Sequence, residues 1–168
     1  MKTAIVYESR TGNTKRVAQA IKENIGGADL VYFGAPRCGL EADLFIVGSW
    51  TDKGMCAEAA AAFLKGLSHQ TIAWFGTAGF GGSAEYYQAL FQRVKGIIPS
   101  GNRVLGSFYC QGKMPAQVRA RYEAALTEHP GDARILSSIK NFDQAVSHPD
   151  GTDLQAAGRW AAHLPALL

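Results

Sequence analysis

The stretch KTAIVYESRTGNT, residues 2–14, decides the fold. Its first part, residues 2–7, is largely apolar and predicts a strand buried on both faces of a sheet. Hydroxyl-rich residues and a Thr-Gly-Asn-Thr sequence follow directly. A helix is predicted next, because Val17, Ala18 and Ile21 fall on one face before a Gly-Gly pair ends the pattern. A strand, a turn and a helix in this order are typical of the first unit of a parallel α/β sheet.

The rest of the chain continues this alternation of apolar runs and amphipathic segments. Further strands are predicted at residues 29–33, 43–48, 70–75 and about 103–110, and further helices at residues 56–67 and about 86–97. Only nine residues separate the second strand from the third, fewer than a crossover helix needs, so we expect an irregular connection there. After Gln111 only helices are predicted, with Asp132 capping one of them and Thr152 or Asp153 capping the last. The predicted fold class is α/β, a doubly wound five-stranded parallel sheet in a single domain over residues 1–168, with residues 112–168 as a helical C-terminal extension.

The composition is that of a globular protein. The 168 residues are 47% apolar and 18% charged, a balance that supports a buried core and excludes intrinsic disorder. No apolar stretch is long enough for a membrane span or a signal sequence, so we expect a cytoplasmic protein without a membrane partner. A net charge of +3 without a recognition motif predicts no binding of nucleic acid. Three cysteines without a CxxC pair predict reduced structural thiols and no metal site.

Three loops at the carboxyl ends of predicted strands are the candidate binding site, because ligands bind at this edge of doubly wound sheets. The first loop is rich in hydroxyls and precedes a helix N-terminus, which makes it a natural cradle for a phosphate group. The second loop carries a large aromatic side chain suited to stacking on a flat ligand. The third loop is glycine-rich and offers backbone donors. Each loop alone has an ordinary structural explanation, as a helix cap, a core aromatic or a turn, but the three together in this order favour a ligand site.

The candidate cofactor-binding residues come from these loops. The first loop contributes Ser9, Arg10, Thr11, Gly12, Asn13 and Thr14. The second loop contributes Ser49, Trp50, Thr51, Asp52, Lys53 and Gly54. The third loop contributes Thr77, Ala78, Gly79, Phe80, Gly81 and Gly82. No catalytic residue is predicted, because the four histidines are scattered without an acid or serine partner.

The hydroxyl-x-Thr-Gly-Asn-Thr sequence of residues 9–14 resembles the FMN-phosphate loop of flavodoxins, and the resemblance extends over about residues 2–110. It implies a strand order of 2-1-3-4-5, one non-covalent FMN, and a one-electron carrier that serves a redox partner protein. It also implies that the flavin ring lies against Trp50, with Phe80 as a second aromatic wall. In flavodoxins a backbone carbonyl of the second loop turns to accept a hydrogen bond from N5 of the reduced flavin. The resemblance places that carbonyl at Gly54 or in the turn 51–53.

Two features depart from the flavodoxin pattern. The isoelectric point near 8.8 is unlike the acidic flavin edge of flavodoxins, so the electron partner is expected to differ from the usual one. The extension after Gln111 is longer than in short flavodoxins, and packing over the sheet is favoured for it over a dimer contact or a partner site. The runs 75–82 and 110–115 are similar to a bacterial flavodoxin-like subset encoded beside flavin-dependent reductases, including bilirubin reductase, which implies such a reductase as the partner.

Other functions are open or excluded on the residues. An FMN-dependent NAD(P)H oxidoreductase acting on a quinone, a tetrapyrrole or free flavin stays open, as does a non-redox module that binds a phosphorylated small molecule. A two-component receiver domain needs an aspartate at the end of the third strand, where the sequence has Val47-Gly48-Ser49. A low-molecular-weight tyrosine phosphatase needs an arginine six positions after a cysteine. None of the three cysteines has one.

Overall fold

Strands and helices alternate along the first two thirds of the chain, and only helices follow. The computed structural model describes residues 1–168. The strands are β1 (Lys2–Glu8), β2 (Asp29–Gly34), β3 (Leu44–Asp52), β4 (Met55–Cys56), β5 (Thr71–Ala78) and β6 (Arg103–Gln111). The helices are α1 (Asn13–Asn24), α2 (Glu58–Lys65), α3 (Ala84–Lys95), α4 (Ala116–Glu128), α5 (Ala133–Ala145) and α6 (Gly151–His163), and a 3-10 turn (Leu164–Leu167) ends the chain. No helix is both long and apolar enough to cross a membrane.

The five main strands are parallel and lie in the order β2-β1-β3-β5-β6. This arrangement confirms the predicted fold class and the order 2-1-3-4-5, with the small strand β4 as an addition that pairs antiparallel with β3. The connection from β2 to β3 contains no helix, as its short length predicts. Because β3 is central and β1 and β5 lie beside it in the same direction, the loops after β1, β3 and β5 meet at one edge of the sheet.

Helices cover both faces of the sheet. The side chains of β1, β3 and β5 alternate between the two faces, and most of them are buried on both. One face packs against α1 and α6 through Ile5, Ile46, Ala73, Phe75 and Cys110. The other packs against α2 and α3 through Ala4, Val6, Phe45, Val47, Ile72 and Trp74.

The C-terminal extension has two parts with different surroundings. Helix α6 packs tightly on α1, and its Ala157 and Ala161 are fully buried. A Cβ placed on Gly158 would lie 2.7 Å from the Asn24 amide nitrogen, so the two helices approach closely there. Helix α4 has no buried residue and contacts α5. The expectation that the extension packs over the sheet therefore holds for α6 but not for α4.

Three element boundaries differ from the sequence prediction. Strand β3 continues to Asp52 instead of ending at residue 48, because the β-forming residues Trp50 and Thr51 extend its pairing and Thr51 pairs with Cys56 of β4. Helix α2 consequently begins at Glu58, since residue 56 belongs to the hairpin. The cap of α6 is Asp150, which forms a reciprocal capping box with Asp153, instead of Thr152 or Asp153 alone.

Candidate functional site

The first loop presents a helix N-terminus to the carboxyl edge of the sheet. Gly12 adopts a left-handed conformation with φ of 94°, which turns the chain sharply from β1 into α1. The backbone N–H groups of Asn13 and Thr14 lie in the first helical turn, where no helix carbonyl can accept from them. Ser9 Oγ accepts from the backbone N–H of Lys15 at 3.2 Å and so closes the loop. The loop therefore offers free donors and a helix dipole to an anion.

Two side chains of the first loop hold it against other parts of the chain. Thr14 and Thr77 are 1% and 2% exposed, and their hydroxyl oxygens lie 3.0 Å apart in a buried hydrogen bond. Asn13 donates its side-chain N–H to the Lys113 carbonyl at 2.8 Å. These bonds fix the first loop to β5 and to the segment after β6.

The second loop is an aromatic wall followed by a tight turn. The indole N–H of Trp50 is buried and has no hydrogen-bond partner in the protein. The guanidinium of Arg10 lies 5.5 Å from the centre of the Trp50 ring, over its face. Ser49 is fully buried, donates to the Trp50 carbonyl at 2.6 Å and accepts from the Ala57 backbone N–H at 2.8 Å. The neighbours of Trp50 therefore fix its position, while its indole N–H stays available to a hydrogen-bond acceptor.

The hairpin turn between β3 and β4 is strained and held from outside. Lys53 and Gly54 both have positive φ, 47° and 79°, as a tight two-residue hairpin turn requires. The Gly54 carbonyl accepts a hydrogen bond from the Arg93 guanidinium at 3.1 Å. One of the two positions that the flavodoxin resemblance suggests for the turning carbonyl, Gly54, is thus engaged by a cation of α3, and the turning of a carbonyl toward a ligand stays a prediction.

The third loop is fixed by the C-terminal extension. The Gly79 carbonyl accepts hydrogen bonds from Gln111 and from Asn141 of α5, each at 3.0 Å. The same two side chains bond to each other at 3.0 Å. The Phe80 side chain is 44% exposed. The extension thus orders this loop and leaves Phe80 open to a ligand or partner.

A cleft of about 940 Å³ opens between the three loops and α4. The predicted site residues that line it are Arg10, Thr11, Asn13, Trp50, Thr51, Asp52, Lys53, Gly54, Thr77, Ala78, Gly79 and Phe80. The predicted residues outside the lining are Ser9, Gly12, Thr14, Ser49, Gly81 and Gly82.

Of one wall of this cleft the sequence indicates only Lys113, as a possible contributor near the active edge. Besides Tyr86 of α3, that wall consists of Gly112, Lys113, Met114, Pro115, Gln117, Val118, Arg121 and Tyr122. The remaining sequence signal for it is the spacing of Val118 and Tyr122, which are four residues apart and so share a face of a helix.

Burial raises the pKa of Tyr86, which lines the cleft, and of two groups outside its lining, Tyr87 and Cys110. Desolvation raises the pKa of Tyr86, although Arg93 opposes the shift. Desolvation likewise raises the pKa of Tyr87 to about 12. The pKa of the Cys110 thiol is raised strongly by burial, with smaller contributions from Asp153 and Asp150. At neutral pH these groups therefore act as hydrogen-bonding or packing groups and not as bases or nucleophiles.

Comparison with known proteins shows the family to which this chain belongs. A model described as flavodoxin domain matches residues 4–161. The chain belongs to the flavodoxin family. Membership identifies it as a flavoprotein and confirms the resemblance predicted from residues 9–14.

The curated relatives are flavodoxin-like proteins of similar length. The chain is 38% identical over 174 residues to the flavodoxin-like domain-containing protein BilS of Clostridium symbiosum, and the match covers 93% of this chain and 92% of that one. It is 32% identical over 171 residues to BilS of Clostridioides difficile, with 98% and 96% covered. An archaeal flavodoxin structure superposes with a TM-score of 0.52 at 18% identity, covering 99% of this chain and 97% of that one, and so shares the fold.

The residues of the cleft fit a flavin nucleotide. The first loop supplies free backbone N–H groups and the Thr11 hydroxyl for a phosphate, with no carboxylate among residues 9–14 to repel it. The buried Trp50 indole N–H lacks an acceptor that the polar edge of a ligand can provide. The site therefore matches a ligand with an anionic end and a flat, partly polar ring.

Proposed function

We propose that the protein binds one FMN non-covalently in this cleft and carries electrons one at a time to a partner reductase. The observation that carries the proposal is the first loop, in which a helix N-terminus with free N–H groups lies beside an aromatic wall at the carboxyl edge of the sheet. Bound FMN supplies one- and two-electron chemistry by itself, so the protein contributes position, electrostatics and the exclusion of water.

The first loop holds the phosphate end. The N–H groups of Asn13 and Thr14 in the first turn of α1 would donate to the phosphate, and Thr11, which lines the cleft, would add its hydroxyl. Hydrogen bonds to a charged group are worth about 1.5–3 kcal/mol each, which is ample for a tight nucleotide site when several act together.

The second loop positions the ring and sets its electrostatic surroundings. The Trp50 ring offers a flat apolar face, and Arg10 lies over that face in the structure, so a stacked ligand replaces or sandwiches the guanidinium. Lys53 and Asp52 both line the cleft. A positive side chain favours an anionic reduced ring and a carboxylate opposes it, so Lys53 and Asp52 act in opposite directions.

The proposed electron partner is a flavin-dependent reductase. The support is the resemblance of the runs 75–82 and 110–115 to flavodoxin-like proteins encoded beside such reductases. In the structure these runs are adjacent, because β5 pairs with β6 and the Gly112 N–H donates to the Ala78 carbonyl at 2.9 Å. The runs 75–82 and 110–115 therefore form one continuous part of the site.

A visible absorption spectrum of the purified protein tests the proposal. We expect flavin bands that survive desalting, and a long-wavelength band that rises and then falls during stepwise reduction. If correctly folded protein retains no added FMN, both the carrier and any flavin-dependent enzyme are excluded, and a non-redox phosphate-binding module becomes the better explanation.

A pair of threonine variants locates the phosphate site. Thr11→Val removes a hydroxyl that lines the cleft, and loss of one hydrogen bond to a charged phosphate should weaken FMN binding about tenfold or more. Thr152→Val, in the exposed first turn of α6, is the matched control and should leave FMN affinity unchanged. Equal affinities of the two variants would contradict the placement of the phosphate.

One observation favours a small FMN-dependent NAD(P)H oxidoreductase as a second candidate. The cleft extends under α4, and the wall formed by Met114, Val118 and Tyr122 gives space for a second flat molecule beside the ring. Steady oxidation of NAD(P)H by the FMN-loaded protein alone, with a quinone as acceptor, would support the enzyme over the carrier.

A further inference from the structure

Exposed cations surround the open side of the cleft. Lys53, Lys113 and Arg121 line the cleft and are exposed, and we call these three residues the basic rim. None of them takes part in an ion pair with another residue of the chain. Their charges therefore face solvent without neutralisation.

The basic rim keeps an excess of positive charge when a nucleotide is bound. Arg10 adds a fourth cation to the lining, and Asp52 is the single carboxylate in it. A phosphate monoester carries about 1.5–2 negative charges at pH 7, fewer than the three positive charges that remain after Asp52 is counted. The cofactor thus leaves the rim positive.

Apolar and aromatic side chains line the same cleft as the basic rim. Phe80 is 44% exposed, and Met114 and Tyr122 of the opposite wall are half-buried. An apolar and aromatic centre within a charged border is the usual arrangement of a protein interface. The protein as a whole carries a net charge of +3, so a second copy of the chain is repelled from this surface.

We propose that the basic rim is the docking surface for an acidic protein that exchanges electrons with this one. The inference rests on the proposed function for the electron exchange, but the docking itself depends only on the rim. Opposite charges steer two proteins into contact, and complexes that transfer electrons are small and short-lived, which suits three unpaired cations around an apolar centre. Nucleic acid is disfavoured, because it needs a longer track of phosphate contacts.

Plastocyanin, an acidic copper protein, and cytochrome c, a basic haem protein, serve as probes. We expect that plastocyanin titrated into the ¹⁵N-labelled protein at about 10 mM salt shifts the backbone resonances of the rim residues and of α4. The affinity should fall about tenfold or more at about 0.3 M salt, because the Debye length shrinks below 10 Å. Cytochrome c should bind at least tenfold more weakly than plastocyanin at low salt.

Two double variants with the same change in net charge separate the rim from overall charge. Lys113→Glu with Arg121→Glu reverses two rim charges and should weaken plastocyanin binding about tenfold or more. Lys65→Glu with Lys95→Glu changes the last turns of α2 and α3, at the opposite edge of the sheet, and should weaken it less than threefold.

The outcomes distinguish this inference from the proposed function. Resonance shifts away from the rim, equal losses in the two double variants, or binding of cytochrome c as tight as that of plastocyanin would overturn the inference. Tighter binding of a single-stranded 12-nucleotide DNA to the same rim would also overturn it, in favour of a nucleic-acid surface. Because the titration works on protein with or without FMN, a failure to retain FMN removes the electron carrier while the docking surface is still tested.

Discussion

The buried bond between Thr14 and Thr77 joins the first loop to β5, and its removal should be measurable in the protein without cofactor. In Thr14→Val the side-chain shape is kept, but the Thr77 hydroxyl is left without a partner in a site only 2% exposed. An unsatisfied buried hydroxyl costs about 1–3 kcal/mol. For a chain of this length each kcal/mol lowers Tm by about 2–4 °C, so a loss of about 2 kcal/mol predicts a fall of about 4–8 °C.

The double variant provides the decisive comparison. In Thr14→Val with Thr77→Val both hydroxyls are replaced by methyl groups of the same shape, so no polar atom is left without a partner. Replacing both members of a buried pair in this way is nearly neutral, and we expect a stability within about 1 kcal/mol of the wild type.

Urea unfolding followed by circular dichroism gives the free energy of each variant, and the cycle gives the coupling between the two sites. The reasoning is wrong if the double variant loses the sum of the two single losses. That result would mean that each hydroxyl has a separate role, such as contact with a ligand.

Three further predictions follow from the geometry. Asn141→Ala removes the bond from α5 to the third loop. We expect it to weaken FMN binding about fivefold and to lower the stability by about 1 kcal/mol. An unchanged FMN affinity in titration calorimetry would refute this prediction. Backbone N–H bonds to the Asp150 carboxylate lower its pKa in the folded protein. The wild type should therefore be more stable than Asp150→Asn above the ordinary aspartate pKa of about 3.9. This difference should vanish as the pH falls through the lower pKa of the folded state. Urea unfolding at about pH 7 and about pH 2.5 checks this, and a difference that persists in acid contradicts it. Iodoacetamide should modify the exposed Cys38 and spare Cys56, whose pKa burial raises to about 11, and Cys110, as mass spectrometry of the native protein can show.

The strands of the sheet and the helix N-terminus after the first strand were readable from the sequence for physical reasons, whereas the strand order was implied by the resemblance to flavodoxins. A strand buried on both faces must be largely apolar, as residues 2–7 are, and a loop that precedes a helix at the carboxyl edge exposes free N–H groups wherever it occurs. The extension of β3 to Asp52 was missed because a Lys-Gly pair is a weaker hairpin signal than Asn-Gly, although Lys53 adopts the positive φ that the turn requires.

The wall formed by α4 could not be read from its sequence. Val118 and Tyr122 share a helical face, but the same spacing arises whether that face packs on a core or lines a cleft. The bonds from Asn141 and Gln111 to the Gly79 carbonyl depend on contacts distant in sequence, and no local pattern contains them. Local periodicity thus predicts elements, whereas the partners of individual polar groups require the assembled fold.

The hydrogen bonds that order the loops join residues far apart in the chain, and this has a consequence for biosynthesis. Asn141 follows Gly79 by 62 residues, and the Lys113 carbonyl that accepts from Asn13 lies 100 residues downstream of it. A ribosome releases the chain from its amino terminus, so all three loops emerge well before the groups that order them. The third loop of the nascent protein therefore gains its bond to Asn141 only after α5 has left the exit tunnel. A chain that ends before Asn141 would lack this bond, so we expect the cleft to reach its full affinity for a ligand only when α5 is present.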